Sequence, residues 1–159
     1  MYPIPWYAVI LIGLPSTFLT ISIGVRLFNI NISIRNRAIV SIIIGIIIYF
    51  TRHLTVPGLN TIALLVSTIV LLIIISRLTL WKAILSAILG LVVMAIIETL
   101  CNSIIFSLFH LNFDTLAARP WINILSFLPT LAVASLLYWL ICRKNVILYN
   151  LNQYEDHAK

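Results

Sequence analysis

Long uninterrupted apolar runs constrain the fold of this chain more than any other feature of its sequence. Segments such as SIIIGIIIYF and VLLIIIS consist almost entirely of isoleucine, leucine and valine. Charged residues make up 9% of the 159 residues, whereas soluble domains carry about 25%. So few charges cannot keep a whole protein surface in water. The sequence therefore predicts an all-α integral membrane protein, since apolar runs of this length cross a bilayer as helices.

Five apolar segments have roughly the 20 residues that a helix needs to cross a bilayer. Charged or turn-forming stretches separate them, and the clearest is TVPGLN with its Pro57–Gly58 pair. We predict one five-helix transmembrane domain over 1–143 and a short cytoplasmic tail over 144–159. The predicted spans are 6–28, 37–54, 59–76, 80–109 and 121–142.

The distribution of basic residues predicts the orientation of these spans. With the N-terminus outside, eight basic residues lie inside and two lie outside, as the positive-inside rule requires. This indicates a multi-pass protein of the cell (plasma) membrane with its C-terminus in the cytoplasm and its basic side against anionic membrane lipids. The basic residues are too dispersed for a nucleic-acid-binding patch. Those predicted inside are Arg26, Arg35, Arg37, Arg77, Lys82, Arg143, Lys144 and Lys159, and those outside are Arg52 and Arg119.

A single carboxylate, Glu98, lies within the fourth apolar segment. At membrane depth a carboxylate is costly unless it is neutralised, paired or hydrated. Glu98 follows Lys82 by about 24 Å of helix, and Arg52 follows Arg37 by about 22 Å. Both helices run outward, so Glu98 and Arg52 lie at matched depth in the outer leaflet. We predict an ion pair between them.

This pair defines the candidate site, for ligand binding or signalling, and Asn102 is placed to orient the carboxylate by a hydrogen bond. His53 and Arg119 fall near the outer surface and join the candidates. The alternative is that the pair only fastens two helices together. The face of the fourth helix around Glu98 suits either helix packing or a pocket wall. Helical spacing assigns to it Ala87, Leu91, Met94, Cys101, Asn102, Ile105 and Phe109.

Two prolines interrupt predicted spans, Pro15 in the first and Pro129 in the fifth. Each removes a backbone donor and is either a tolerated kink or a hinge. Gly13 and the Ser16–Thr17 pair favour local opening in the first helix.

Enzyme chemistry is not indicated. Cys101 and His110 are nine residues apart on one predicted helix, on opposite faces and about 13 Å apart along its axis. There is no phosphate loop, HExxH or serine-elbow motif. The two histidines predicted near the outer surface, His53 and His110, have no nearby Cys or Asp cluster and do not predict a metal. We therefore expect no catalytic residue, no metal and no cofactor.

The order of features resembles a known family. Four segments follow one another along the chain. The first span closes in VRLFNINI, the second ends in YFTRHL, the fourth carries AIIETL, and the segment LFHLNFDTLAARPWINILSFLP comes last. Together they resemble the N-terminal five-span sensor modules of Firmicutes membrane proteins with a Spo0B-like or GHKL-type histidine-kinase part. The resemblance implies a bacterial membrane sensing module, with Arg52, Glu98 and Arg119–Pro120 as the positions of interest. Those proteins continue into an ATP-binding domain, for which 144–159 has no room.

Three classes of function stay open. The first is a stand-alone sensory or regulatory module in signal transduction, which binds a small molecule, lipid or peptide near Glu98 and Arg52 and acts through a protein partner such as a kinase. The second is a small oligomeric transporter or channel that uses Glu98 to handle cations or protons. The third is a structural subunit of a larger membrane complex.

Overall fold

The computed structural model describes Tyr7 and residues 9–51, 59–109 and 120–149, and every regular element in these ranges is helical. The all-α prediction is therefore confirmed. The helix bounds agree with the five predicted segments to within three residues. A π-helical segment, Val9–Gly13, leads into α1 (Leu14–Leu27), followed by α2 (Ile34–Thr51), α3 (Leu59–Ser76), α4 (Leu80–Phe109) and α5 (Pro120–Lys144).

Three of the five predicted spans are long and apolar enough to cross a membrane, within the described residues. They are Ile10–Leu27, Leu80–Leu108 and Ile124–Lys144, with mean hydropathies of 1.7, 2.5 and 2.0. The third predicted span contains a shorter apolar helix, Thr61–Ser76. In α2 the first turn carries Arg35 and Arg37, so the apolar part that the structure describes covers about 20 Å, whereas a hydrocarbon core is roughly 30 Å thick. The prediction of five spans is thus met in part, and the orientation is not shown.

Local capping signals set the ends of the helices. The Ser33 hydroxyl accepts a hydrogen bond from the Asn36 N–H at 3.2 Å, an N-cap that starts α2 three residues before the predicted position. After α1, Asn29 takes a left-handed conformation, and the Ile30 N–H donates to the Val25 carbonyl at 3.0 Å. This is a Schellman motif, which turns the chain at once and explains the short linker to α2.

The helix α1 lies at the centre of the bundle. All five residues from Ile21 to Val25 are buried, because one face of α1 packs against α2 and α4 and another against α4 and α5. The first cluster contains Ile21, Val25, Ile30, Ile32, Val40, Ile44, Leu72, Ala83 and Ala87. The second contains Leu19, Ile23, Leu27, Met94, Ile97, Ala134 and Ile141.

Successive helices run in opposite directions, which gathers the described basic residues at one end of the bundle. The Asn36 amide donates to the Ile75 carbonyl, so the start of α2 meets the end of α3. Arg37 donates to Tyr138 near the end of α5. We call this the basic end. Its Lys and Arg residues are Arg26, Arg35, Arg37, Arg77, Lys82, Arg143 and Lys144.

Candidate functional site

Glu98 lies in α4, about 24 Å along the helix axis from Lys82 at the basic end. Its side chain is half-buried. The predicted face around it does pack against the bundle, since Ala87, Met94 and Ile105 are buried and Met94 joins the second apolar cluster. Leu91, Cys101 and Asn102 are half-buried, and the side chain of Phe109 lies outside the described residues. Glu98 therefore borders a packed face of α4.

No described residue gives the Glu98 carboxylate a hydrogen bond or an ion pair. Asn102 follows four residues on, and no hydrogen bond joins the two side chains. Glu98 is also the one carboxylate in the described part of the chain.

Three further site candidates, Arg52, His53 and Arg119, lie outside the described residues. The expected contact between Arg52 and Glu98 therefore lies outside them as well. The ion pair stays a prediction. His110 also lies outside, while Cys101 is a free, half-buried thiol.

The two candidate hinge prolines occupy different settings. Pro15 lies in the first turn of α1, one residue after the chain changes from π-helical to α-helical hydrogen bonding. The Ser16 and Thr17 hydroxyls both donate to the Gly13 carbonyl, at 3.2 and 2.7 Å. Pro129 lies inside α5, which continues to Lys144. Hinge motion at either proline stays a prediction.

A close crossing of α1 and α4 holds the Glu98 helix against the centre of the bundle. Added Cβ atoms would collide with the partner backbone at two positions, Gly24 against the Ser86 carbonyl and Gly90 against the Thr20 carbonyl. Small residues four apart on each helix allow this approach, as in small-xxx-small membrane interfaces. The sequence analysis did not identify this motif. The four-residue spacing can nevertheless be read from the sequence, between Thr20 and Gly24 on one helix and between Ser86 and Gly90 on the other.

The densest polar contacts lie at the basic end, away from Glu98. Arg37 Nη1 donates to the Tyr138 hydroxyl at 2.9 Å, and Arg26 Nη2 donates to Asn145 Oδ1 at 2.6 Å. Beyond α5 the chain folds back, and the Leu148 N–H donates to the Leu27 carbonyl at 2.8 Å. From the sequence these arginines indicated only membrane orientation. The alternation of helix direction, which brings these arginines to one end of the bundle, is the sequence signal from which a shared site could have been predicted.

The described residues contain no group of three or more His, Cys, Asp or Glu side chains that could hold a metal ion. The fold defines an all-helical protein with three helices suited to crossing a membrane. No family model, curated protein or solved structure matches the chain.

Proposed function

We propose that this chain is a membrane-embedded sensory or regulatory module of the bacterial cell membrane that acts through a protein partner. It binds a small molecule, lipid or peptide near Glu98, and Arg52, which falls in the second predicted span, contributes to the site. One observation carries the proposal: Glu98 is half-buried inside a 30-residue apolar helix and has no hydrogen-bonding or ionic partner among the described residues. Polar groups held at membrane depth are functional sites by default.

The exposed faces of α2 and α3 support five spans. On α3, large apolar side chains recur every four residues and stay exposed, namely Ile62, Val66, Val70 and Ile74. On α2, Ile42 and Ile46 are about half exposed. Continuous apolar stripes of this kind suit lipid tails and would promote aggregation in water. With five spans, the positive-inside rule places the basic end in the cytoplasm and the N-terminus outside.

The C-terminal segment is the proposed route to the partner. Residues 145–149 contact the end of α1 through two hydrogen bonds. Arg26 donates to the Asn145 side-chain oxygen, and the Leu148 N–H donates to the Leu27 carbonyl. The helix α1 in turn crosses α4, the Glu98 helix, at Gly24 and Gly90. A change of packing near Glu98 therefore reaches the cytoplasmic segment through α1 as well as α5.

Measurements of ion flux into reconstituted vesicles distinguish the sensory proposal from a transport function. We expect the unmutated protein to show no proton, sodium or potassium flux above that of empty vesicles. Flux that Glu98→Gln abolishes would contradict the sensory proposal and support a transporter or channel. Thr99→Val is the matched control, because Thr99 is an exposed neighbour whose hydroxyl donates to the Ala95 carbonyl of its own helix and to no other described residue.

Binding is tested by native mass spectrometry of the protein released from its membrane. We expect a small molecule or lipid that is retained by the unmutated protein and by Thr99→Val and is lost from Glu98→Gln. Equal retention in all three proteins would contradict a binding role for Glu98.

A double-mutant cycle with Glu98→Gln and Arg52→Gln tests the structural alternative. If the pair only fastens two helices, each variant loses stability and the double variant loses little more. That result, without a change in bound molecules, would contradict the sensory proposal.

A further inference from the structure

A small cavity lies at the basic end, where the end of α1, the linker to α2, the start of α2 and the end of α5 meet. Its volume is about 110 Å³. This is well below the roughly 300–1,000 Å³ of pockets for drug-sized ligands, but it far exceeds the space that one water needs. The cavity therefore suits a single compact group.

Two guanidinium groups line this cavity from different helices, Arg26 from α1 and Arg37 from α2. One terminal nitrogen of each arginine donates a hydrogen bond to a neutral oxygen, Arg26 to that of Asn145 and Arg37 to that of Tyr138. Each guanidinium carries five N–H donors in a fixed fork. Apart from these two bonds, neither guanidinium has a hydrogen bond or an ion pair with another described residue. The Nε atoms are buried out of reach of a ligand, so the remaining terminal N–H groups are the donors left for an acceptor in the cavity.

The charge around the cavity specifies the kind of acceptor. The charged side chains described at this end of the bundle are all Lys or Arg, and Glu98 lies some 16 residues beyond Lys82 toward the opposite end. Arginine forks match the oxygens of phosphate in a bidentate geometry. The Tyr138 hydroxyl and the Asn31 amide line the same cavity and add neutral donors.

The depth of the cavity relative to a bilayer is also that of a phospholipid headgroup. Trp81 and Trp139 are exposed near the same end of the bundle, at 73% and 53%. Exposed tryptophans favour the headgroup level of a bilayer. A cavity at this level is reached by lipid headgroups and by solutes of the adjoining aqueous phase.

We propose that Arg26 and Arg37 form a binding site for one phosphate group, which is supplied by a phospholipid headgroup or by a free phosphate. The bound phosphate joins α1 to α2 and, through Tyr138, to α5. It therefore tightens the end of the bundle from which the C-terminal segment emerges. The site is separate from Glu98, and its existence does not depend on the function proposed above.

The thiol of Cys142 gives a direct readout on the otherwise unmodified site, because it is half-buried and lines the cavity. In the Cys101→Ser background, Cys142 is the one remaining thiol. The protein is kept in a phosphate-free maltoside detergent, and the rate of maleimide labelling is measured. Short-chain phosphatidylglycerol should slow labelling at least about fivefold, since ligand protection follows site occupancy. A phosphate-free galactolipid of equal chain length should have no such effect.

Two double variants test the arginines. Arg26→Gln with Arg37→Gln should weaken phosphatidylglycerol binding at least about tenfold, as expected for the loss of charge-assisted hydrogen bonds. Arg35→Gln with Lys144→Gln removes the same charge from exposed side chains at the same end and should weaken it by less than about twofold. Equal weakening by both pairs would overturn the proposal in favour of diffuse attraction.

Inorganic phosphate distinguishes the two sources. Protection of Cys142 by millimolar phosphate supports a free phosphate as ligand, whereas protection by phosphatidylglycerol alone supports a lipid headgroup. If neither slows the labelling of Cys142, the proposal is wrong whether or not the arginine variants fold.

Discussion

The crossing of α1 and α4 at Gly24 gives the most direct test of the packing. We expect Gly24→Ala to destabilise the protein, because the added methyl group would overlap the Ser86 carbonyl and lie 3.2 Å from the Gly90 nitrogen. These are backbone atoms, which cannot rotate away. The two helices must separate, and that loosens both apolar clusters, since α1 and α4 contribute to each of them.

The size of the effect follows from two opposing terms. Overpacking a well-packed interface costs about 1–3 kcal/mol, and a rigid backbone obstacle places this case at the upper end. Alanine gains about 1 kcal/mol over glycine in helix propensity. We therefore expect a net loss of about 2 kcal/mol in the free energy of unfolding, which is roughly a thirtyfold change in the unfolding equilibrium. Gly90→Ala should behave alike, because its methyl group would overlap the Thr20 carbonyl.

Equilibrium unfolding by sodium dodecyl sulfate in mixed micelles, followed by far-ultraviolet circular dichroism, measures this loss. Gly45→Ala on α2 is the matched control. Its new methyl group would meet Leu14 Cδ2 at 2.6 Å, the end of a flexible side chain that can move. The control should stay within about 1 kcal/mol of the unmutated protein. If Gly24→Ala and Gly90→Ala unfold no more easily than Gly45→Ala, the close approach of α1 and α4 is wrong.

Three further predictions concern the capping of the helices and the C-terminal segment. Arg77→Gly should raise the free energy of unfolding by about 1 kcal/mol, because Arg77 has a φ of 51° in the left-handed region. Arg35→Gly, inside the first turn of α2, should lower the free energy of unfolding. A change of the same sign in both variants would contradict this account. Ser33→Ala should lower it by about 1 kcal/mol through loss of the α2 N-cap, and an unchanged unfolding midpoint would count against that cap. Asn145→Gly keeps the left-handed turn and removes the side-chain oxygen that Arg26 contacts. Hydrogen exchange of the Leu148 backbone amide should therefore accelerate. An unchanged exchange rate would show that other contacts hold residues 145–149.

Much of the fold could be predicted because apolar runs and turn residues are local signals. The bounds of α3 and α4 coincide with the predicted segments, since the turn chemistry of TVPGLN and the charged pair Arg77 and Lys82 punctuate them clearly. The start of α2 was predicted three residues late because the basic residues looked like a linker. The Ser33 cap shows that the helix already includes Arg35 and Arg37.

The candidate site was less accessible to sequence reasoning. Glu98 stands out because a carboxylate in an apolar helix is rare, and the structure places it half-buried beside a packed face. Arg26 and Arg37 did not stand out, since basic residues at helix ends are normal in any membrane protein. Their significance comes from contacts with Tyr138 and Asn145, more than 100 residues away in the chain.

The sequence by itself determined the helical fold, the approximate helix limits and the concentration of positive charge at one end. Hydrophobicity and charge act on each segment separately, so these properties can be predicted one helix at a time. The tertiary structure decided that α1 is central, that Gly24 and Gly90 form its crossing with α4, and that two arginines share one cavity. The helices are apolar on nearly every face, so their sequences do not indicate which side packs inward. Close packing of small residues and the pairing of buried polar groups make that choice, and both depend on the assembled bundle.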